Sequence, residues 1–279
     1  MVLQILSYLH RKGFRHLLVR ICQVAYFIKG YGKVKSAYHQ TFRAYEYRVK
    51  GVTYLSMGPG WAYTFSYLRD SLKQSFCYFF TPQSGDCVVD IGAGLGEETV
   101  IFALQVGETG KVISIEANPS TFKGLQYLVE QNGFIWTVPL HLAIFDKDGE
   151  VTIEDDEENY LTNTINGELS TKTHHSVKAQ TLDTLVKENS ITKIDFLKSN
   201  IEGAEQYLIK GMDESVNIIK NVCISCHDFR HNYHQHGEFY ITKEKVIAFF
   251  NKHDFEVTFR NTGDRVVDEY IYARNTRIK

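Results

Sequence analysis

Short apolar runs alternate with segments of helical periodicity from about residue 85 to the end of the chain. Strands are predicted in "CVVDIGA", "KVISIEA", "TVPLHLAI", "KIDFLKSN" and "NVCISCHD", and an alternating edge strand in "GEVTIEDD". Helices are predicted between them, as in "EETVIFALQVG" and from Pro119 to about Asn132. The late runs "FEVTFRN" and "EYIYARN" look like an antiparallel pair. Repeated strand–helix units indicate an α/β fold with a mostly parallel sheet and helices on both faces.

The first 84 residues depart from this pattern and form a predicted basic, helical extension. Apolar residues recur at helical spacing through residues 2–9 and 17–24, which predicts amphipathic helices. Eight Lys and Arg residues and no acidic residue precede Glu46, although the whole chain has a net charge of −2. The helices either pack on the domain or on a second copy, which would give a homodimer, or rest on an anionic membrane as a peripheral arm.

The stretch "FTPQSGD" marks the predicted boundary between this extension, residues 1–84, and a second unit that spans residues 85–279. Aromatic residues before the boundary suit either a lid over a site or a core-packing helix: Trp61, Tyr63, Phe65 and Tyr67. The hydrophobic content of 43% and the near-neutral charge are typical of a globular protein and give no indication of nucleic acid binding. Five cysteines, an odd number, favour reduced thiols and a cytoplasmic location over a disulfide framework.

A glycine-rich turn follows the first strand of the second unit. Asp90, Gly92, Gly94 and Gly96 give the spacing D-x-G-x-G-x-G, which lets a ligand lie against the backbone at a helix N-terminus. Nicotinamide enzymes use a similar turn, but in their G-x-G-x-x-G fingerprint the third glycine comes one residue later. Glu116 ends the next strand, 20 residues beyond Gly96, where a carboxylate can accept hydrogen bonds from both hydroxyls of a ribose.

This combination resembles the class I S-adenosylmethionine-dependent methyltransferases. The resemblance implies a Rossmann-like fold whose seven-stranded, mostly parallel sheet has one antiparallel strand, and it implies S-adenosylmethionine as the cofactor. The implied cofactor-binding residues are Asp90, Gly92, Gly94, Gly96, Glu116, Ala143 and Asp146. By the same resemblance, the loop would line the methionine end and Glu116 the ribose. Ala143 and Ile144 would flank the adenine, with Asp146 near its exocyclic amine.

The stretches "TLDTLV" and "IDFLKSNIEGAE" resemble one branch of that superfamily, the FkbM-type methyltransferases. That family has roughly L-K-[I/M]-D-[V/I]-E-G-[A/S]-E here, and Asn200 stands in this chain where the family usually has Asp. FkbM-type enzymes mostly methylate hydroxyl oxygens of sugars, polyketides and other small molecules. The resemblance therefore implies an O-methyltransferase of natural product or polysaccharide biosynthesis, with a small-molecule or glycan acceptor and no nucleic acid partner.

Methyl transfer to a neutral hydroxyl needs a group that takes the hydroxyl proton during attack. Ligands of open α/β sheets bind at the carboxyl ends of the strands, where "SCHDFRH" is expected beside Asn200 and Glu202. The predicted catalytic residues are His227, Asp228, Asn200 and Glu202. His227 is the predicted general base, with Asp228 or Glu202 orienting it or holding the substrate. A strand-end histidine with purely structural hydrogen bonds is the alternative.

Other interpretations stay open at this point. Lys198 lies within a central strand and needs a partner, for which Glu202 or Glu205 is predicted. N-methylation of an amine or amide would demand less of a base. Asn200 also suits a catalytically impaired protein that still binds the cofactor, and a nicotinamide oxidoreductase is the rival outside the superfamily.

Two metal sites were weighed and neither is favoured. A divalent ion held by Asn200, Glu202 and Asp228 would lack one carboxylate, which weakens a Mg²⁺ site. A zinc site could be drawn from Cys223 and Cys226 together with His227, His231, His234 and His236. It conflicts with strand geometry, because positions i and i+3 of a strand face opposite ways, which separates the two cysteines. No metal ligand is therefore assigned from the sequence.

Overall fold

The computed structural model of the protein describes residues 8–10, 12–30, 34–58, 65–155, 173–234 and 237–278. Its N-terminal part contains helix α1 (Arg15–Ile28), strands β1 (Lys35–His39), β2 (Ala44–Val49) and β3 (Val52–Ser56), and helix α2 (Phe65–Gln74). The three strands form an antiparallel sheet that the sequence interpretation, which predicted helices here, did not include. Lys50 and Gly51 turn β2 into β3 with φ of 51° and 87°, as a tight two-residue hairpin requires.

The remaining elements follow the predicted alternation of strands and helices. In chain order they are β4 (Cys87–Ile91), α3 (Glu97–Val106), β5 (Lys111–Glu116), α4 (Pro119–Asn132), β6 (Thr137–His141), β7 (Ala143–Ile144), β8 (Gly149–Asp155), β9 (Thr173–Gln180), α5 (Leu182–Glu188), β10 (Ile194–Ser199), α6 (Glu205–Lys210), β11 (Ile219–Ser225), α7 (Asp228–His234), α8 (Lys243–Lys252), β12 (Phe255–Phe259) and β13 (Tyr270–Asn275).

Seven of these strands form one sheet in the order β12-β13-β11-β10-β4-β5-β6. The pairings from β11 to β6 are parallel, whereas β13 runs antiparallel to β11 and β12. The predicted seven-stranded, mostly parallel sheet with one antiparallel strand is thereby confirmed. Because β4, β10 and β11 are neighbours, their carboxyl ends bring the glycine loop, Asn200 and His227 to one edge of the sheet.

The run "TVPLHLAI" does not form one strand, as the sequence suggested. It leaves the main sheet after His141, and β7 then pairs with β9 in a separate three-stranded sheet of order β7-β9-β8. The predicted edge strand "GEVTIEDD" also lies there as β8, antiparallel to β9. Residues 156–172, between β8 and β9, lie outside the described residues.

The N-terminal sheet is joined to the central unit through α4. The side-chain amide of Asn132 donates to Thr53 O and accepts from Thr53 N, both at 2.8 Å. The Tyr127 hydroxyl donates to Glu46 Oε2 at 2.6 Å. Leu55 and Leu72 are buried in the same apolar cluster as Val88 of β4. The predicted boundary near residue 84 therefore separates two segments that share one hydrophobic core.

The aromatic segment predicted as a lid is described in part. Trp61 and Tyr63 lie outside the described residues, and Phe65 packs on Tyr54 with ring centroids 5.9 Å apart. Tyr67 on α2 is exposed. Among the helices the structure describes, none is long and apolar enough to cross a membrane.

Candidate active site

The glycine loop joins β4 to α3 with three residues in the left-handed region. Gly92, Gly94 and Gly96 have φ of 72°, 58° and 91°, which side-chain-bearing residues rarely adopt. The N–H groups of Gly92 and Ala93 both donate to Ile115 O at 2.9 Å, which ties the loop to β5. The first-turn N–H groups of α3 follow directly, so the loop and the helix N-terminus form a cradle for a polar ligand.

Two of the loop glycines also have packing reasons for lacking a side chain. A Cβ at Gly92 would overlap the carbonyl oxygen of Asn200, at the end of β10. A Cβ at Gly96 would lie 2.8 Å from Leu128 Cδ2 and 2.9 Å from Leu125 Cδ1 of α4. Gly96 thus allows α3 to approach α4, while Gly92 allows the loop to lie on the end of β10.

Replacing Gly92 with alanine is expected to destabilise the fold and to weaken cofactor binding at least tenfold. The left-handed backbone alone costs about 1–2 kcal/mol for a residue with a Cβ, and the overlap with Asn200 adds to that. Gly263→Ala is the matched control, because Gly263 has φ of 81° but no heavy atom within 4 Å of an added Cβ. Denaturant unfolding and calorimetry with S-adenosylmethionine would check both effects; equal losses in the two variants would contradict the packing argument.

Glu116 is fixed at the end of β5 by backbone groups. Its Oε2 accepts from Gly94 N and its Oε1 from Asn118 N, each at 2.8 Å. Burial raises the pKa of this carboxyl against these hydrogen bonds. Each carboxylate oxygen has two lone pairs, so both can accept a further hydrogen bond from a ligand hydroxyl. The structure thus places the predicted ribose-binding carboxylate directly beside the glycine loop.

Asp90 and Lys198 form a buried ion pair beneath the loop, with 0% and 1% of their side chains exposed. They are direct neighbours across β4 and β10, and Lys198 Nζ lies 2.8 Å from Asp90 Oδ1. The ammonium also donates to Gly92 O at 2.9 Å, while Asp90 Oδ2 accepts from the Thr99 hydroxyl at 2.7 Å. The prediction that Lys198 pairs with Glu202 or Glu205 is wrong, because cross-strand register brings it to Asp90 instead.

The ion pair between Asp90 and Lys198 keeps the lysine charged and occupies the Asp90 carboxylate. Burial disfavours the ammonium, but the carboxylates of Asp90 and Glu98 outweigh it and hold the pKa of Lys198 above its ordinary value. Asp90 is predicted to line the methionine end of the cofactor. In the structure its carboxylate contacts Lys198 and Thr99 instead. Asp90 therefore supports the glycine loop indirectly, because Lys198 also donates to Gly92 O.

His227 lies between two carboxylates at the end of β11. Its Nε2 is 3.3 Å from Glu202 Oε1, and its Nδ1 is 3.2 Å from Glu205 Oε1. Burial lowers the pKa of the imidazole, but the two carboxylates outweigh burial and raise it from 6.5 to about 10. His227 is therefore an imidazolium at neutral pH with both ring nitrogens engaged, which disfavours the general-base role that the sequence suggested for it.

The second cation at Glu202 is Arg230, from the first turn of α7. Its guanidinium Nη2 lies 2.6 Å from Glu202 Oε2. The guanidinium carbon Cζ lies over the ring of Tyr240, 5.4 Å from the ring centroid. Glu202 itself has φ of 54°, a left-handed conformation that is unusual for a residue with a side chain. Such strain clusters at functional sites, and here it turns the carboxylate toward His227 and Arg230.

Gly203 and Glu205 complete the turn after β10. Gly203 has φ of 98°, and a Cβ there would lie 2.5 Å from Phe239 Cε1. Its N–H donates to Glu205 Oε1 at 3.1 Å, and Glu205 Oε2 accepts from the Thr242 hydroxyl at 3.0 Å. The E-G-A-E motif therefore builds a turn that holds two carboxylates on opposite sides of His227.

The other two predicted catalytic residues, Asp228 and Asn200, differ in their hydrogen bonds. Asp228 Oδ1 accepts from Thr242 N and Lys243 N at 2.9 and 3.0 Å, so its carboxylate caps the start of α8 instead of orienting His227. Asn200 Oδ1 is buried and has no hydrogen-bond partner among the described residues. A buried amide oxygen of this kind is costly unless a ligand donates to it.

The predicted adenine region lies on β7 and just after it. Ala143 is buried in a small cluster against Ala117, the residue that follows Glu116. Asp146 is half-buried, and its Oδ1 finds no hydrogen-bond partner within the part of the chain that the structure describes. Ala143 is therefore placed next to the end of β5, although β7 belongs to a separate sheet.

The side chains considered as metal ligands do not form a cluster in the described residues. Within these ranges, no group of three or more His, Cys, Asp and Glu side chains is arranged to hold a metal ion. Cys223 and Cys226 are buried free thiols, and burial raises the pKa of both. His236 and the side chain of His234 lie outside the described part of the chain.

The sequence interpretation missed two site residues, Glu205 and Arg230. Glu205 was assigned to Lys198, although the E-G-A-E motif already contained it. Arg230 follows His227 by three residues in "SCHDFRH", which places it one helical turn beyond the end of β11. A signal for Arg230 was therefore present, but the buried carboxylate that it meets could not be identified without the fold.

Comparison with known proteins relates these features to one family. A sequence model described as "Methyltransferase FkbM domain" matches residues 90–257. A solved methyltransferase FkbM from Methylobacillus flagellatus KT is 15% identical, with 70% of this chain and 45% of that chain covered and a TM-score of 0.48. Aeropyrum pernix fibrillarin with bound S-adenosyl-L-methionine is 10% identical, with coverages of 86% and 98% and a TM-score of 0.45.

An O-methyltransferase from Bacillus cereus in complex with SAH is also 10% identical, with 76% of this chain and 80% of that chain covered and a TM-score of 0.45. The chain thus spans less than half of the Methylobacillus protein. No curated protein sequence matches it.

Proposed function

Because the chain belongs to the FkbM methyltransferase family, we propose that it transfers the methyl group of S-adenosylmethionine to a hydroxyl of a small molecule or glycan. The enzyme class, a methyltransferase dependent on S-adenosylmethionine, follows from the family. The hydroxyl acceptor rests on one observation. The strained Glu202 presents a carboxylate in the turn after β10, and that strand end lies against the glycine loop through Asn200.

The residues at this edge fit the cofactor. The glycine loop and the start of α3 would hold its methionine end, and Glu116 would accept hydrogen bonds from its ribose hydroxyls. The buried, unpartnered oxygen of Asn200 offers an acceptor next to the loop for a donor group of cofactor or substrate. The cofactor supplies a methyl group on a positively charged sulfur, so the protein's main task is to align the acceptor oxygen with that carbon.

Glu202 is the proposed proton acceptor. With the cofactor bound, methyl transfer to a hydroxyl oxygen would make the hydroxyl proton strongly acidic, so a group beside the acceptor would have to take that proton. Glu202 is the group proposed to take up this proton, at its Oε1. His227 and Arg230 hold this carboxylate in place through Oε1 and Oε2.

His227 keeps a place in the proposed mechanism with a changed role. Its imidazolium is held by Glu205 on one side and holds Glu202 on the other. It is therefore proposed as a positioning residue that fixes the direction of the Glu202 carboxylate. Asp228, which caps α8, is proposed to act on the fold of this edge and not on the acceptor.

Calorimetry and a methyl-transfer assay test the proposal. We expect the wild-type protein to bind S-adenosylmethionine and to label hydroxylated sugars or polyketides in preference to amines. Glu116→Gln is expected to weaken binding about tenfold to a hundredfold, because it removes charge from hydrogen bonds that are each worth about 1.5–3 kcal/mol. Glu130→Gln, the same change at an exposed position of α4, is the matched control and should bind like the wild type.

Two results would overturn the proposal. Absence of S-adenosylmethionine binding at millimolar concentration would remove the cofactor assignment for this site. Binding with transfer confined to amine acceptors would leave the cofactor site in place and reject the hydroxyl acceptor.

A further inference from the structure

Helix α1 carries apolar residues on two opposite faces. One face is buried: Leu18, Cys22 and Tyr26 pack in a cluster with Tyr45, Tyr47 and Tyr54 of the N-terminal sheet. The other face, which we call the outer face, points away from this cluster. Its members are Phe14, Leu17, Ile21, Val24 and Ile28, with 52%, 49%, 37%, 58% and 77% of their surface exposed.

The spacing of the outer face is that of one stripe along a helix. Its members follow each other at intervals of three or four residues, so they lie within a narrow arc of the helix surface. Phe27, with 64% of its surface exposed, extends the stripe on one side. Half of the fourteen exposed large hydrophobic residues in the described chain lie in residues 8–28. Such concentration marks an interaction site, whereas exposed apolar residues scattered singly need no explanation.

The charge around the outer face selects the kind of partner. Arg20 and Lys29 of this helix region are exposed, as is Lys12 just before it. The first 45 residues contain eight basic residues and no acidic ones. A second copy meeting this face would bring two such positive segments together, which opposes self-association. A bilayer with anionic headgroups complements both features, since it takes up the apolar stripe and attracts the basic residues.

We propose that the outer face of α1 docks this enzyme on anionic lipid membranes. The apolar side chains enter the boundary between headgroups and acyl chains, while Arg20 and Lys29 contact the headgroups. The buried face of the same helix stays on the N-terminal sheet, so docking needs no rearrangement of the domain.

Flotation of the full chain with vesicles tests the proposal. One vesicle set is phosphatidylcholine alone, and the other is phosphatidylcholine mixed with phosphatidylglycerol in equal parts. We expect the protein to associate with the anionic vesicles at least about tenfold more strongly than with the neutral ones, and less so as salt is raised. Leu17→Ser/Val24→Ser is expected to lower that association about tenfold or more, since two apolar side chains lose their burial.

Two further variants separate the apolar from the electrostatic contribution to vesicle association. Ile135→Ser/Phe259→Ser removes two side chains that are 90% and 52% exposed elsewhere and should associate like the wild type. Arg20→Glu/Lys29→Glu should lose its preference for anionic vesicles. The substituted residues are exposed, and matching unfolding curves for all variants would verify that the fold is kept.

Three outcomes would overturn the proposal. The first is equal association of the wild type with both vesicle sets, and the second is unchanged association of Leu17→Ser/Val24→Ser. In the third, light scattering without vesicles shows a stable wild-type dimer that becomes monomeric in Leu17→Ser/Val24→Ser, and the wild type associates with neither vesicle set. That last result would assign the outer face to a second copy of the chain.

Discussion

Glu202→Gln is expected to lower turnover about 10²-fold or more while the affinity for S-adenosylmethionine stays near that of the wild type. The amide keeps the size of the side chain and an oxygen that can face Arg230, but it cannot take up a proton. Glu202→Asp retains a carboxylate on a shorter arm and should recover part of the lost rate. Turnover of Glu202→Gln close to that of the wild type would reject Glu202 as the proton acceptor.

The pH dependence of turnover distinguishes Glu202 from His227 as the base. The pKa of His227 is about 10 in the folded protein against an ordinary value of 6.5, so its imidazolium persists through the neutral range. With Glu202 as base, the rate should show no inflection near pH 6.5 and should fall as the pH rises through about 10, when His227 loses its proton. With His227 as base, the rate would instead increase as that proton is lost.

The same raised pKa has a consequence for stability. A group whose folded-state pKa lies above its unfolded value stabilises the folded protein when it is protonated. The contribution of His227 is therefore complete below about pH 6.5 and is lost as the pH rises through about 10.

Lys198→Met is expected to cost about 3–5 kcal/mol of unfolding free energy, the largest stability effect predicted for a single site of this protein. The substitution leaves the Asp90 carboxylate buried without its cation and removes the donor to Gly92 O. We expect weaker cofactor binding as well, because the glycine loop loses its support from below. Denaturant unfolding and calorimetry would measure the two losses.

A second lysine next to the same strand supplies the matched control. Lys193 Nζ lies 3.0 Å from Asp195 Oδ2, close to the 2.8 Å of the buried pair, but the lysine side chain is 62% exposed. Exposed pairs contribute at most about 1 kcal/mol, so Lys193→Met should be nearly neutral. Adding Asp90→Asn to Lys198→Met removes the uncompensated charge and should restore part of the stability. Equal losses in the two lysine variants would contradict the burial argument.

Much of the fold was predictable because its signals are local. The period of apolar residues assigned most strands and helices from residue 87 onward, although not β9 or α7, and strand–helix alternation implied the parallel sheet. The N-terminal sheet was missed, since its strands are rich in tyrosine and follow a strongly helical segment. The splitting of "TVPLHLAI" was also missed, because nothing in an apolar run shows which neighbouring strand pairs with its second half.

In the candidate site, too, the features that depend on local sequence were predictable and the contacts between distant residues were not. The spacing of Gly92, Gly94 and Glu116 indicated the cofactor cradle. In the structure Gly94 N donates to the Glu116 carboxylate, and Gly92 N donates to the backbone just before Glu116. The partners of the charged residues were not predictable. Which carboxylate neutralises Lys198, and whether His227 is neutral or charged, depends on groups far apart in sequence.

By itself, the sequence determined the order of the elements, the glycine turn and the family, because each depends on residues a few positions apart along the chain. The tertiary structure decided which charges meet in the buried edge of the sheet. Cross-strand register placed Asp90 under Lys198, and the turn after β10 enclosed His227 between Glu202 and Glu205. Because electrostatic energies in a protein interior depend steeply on distance and burial, the protonation of His227 follows from that packing, and the proposal of Glu202 as the base rests on it.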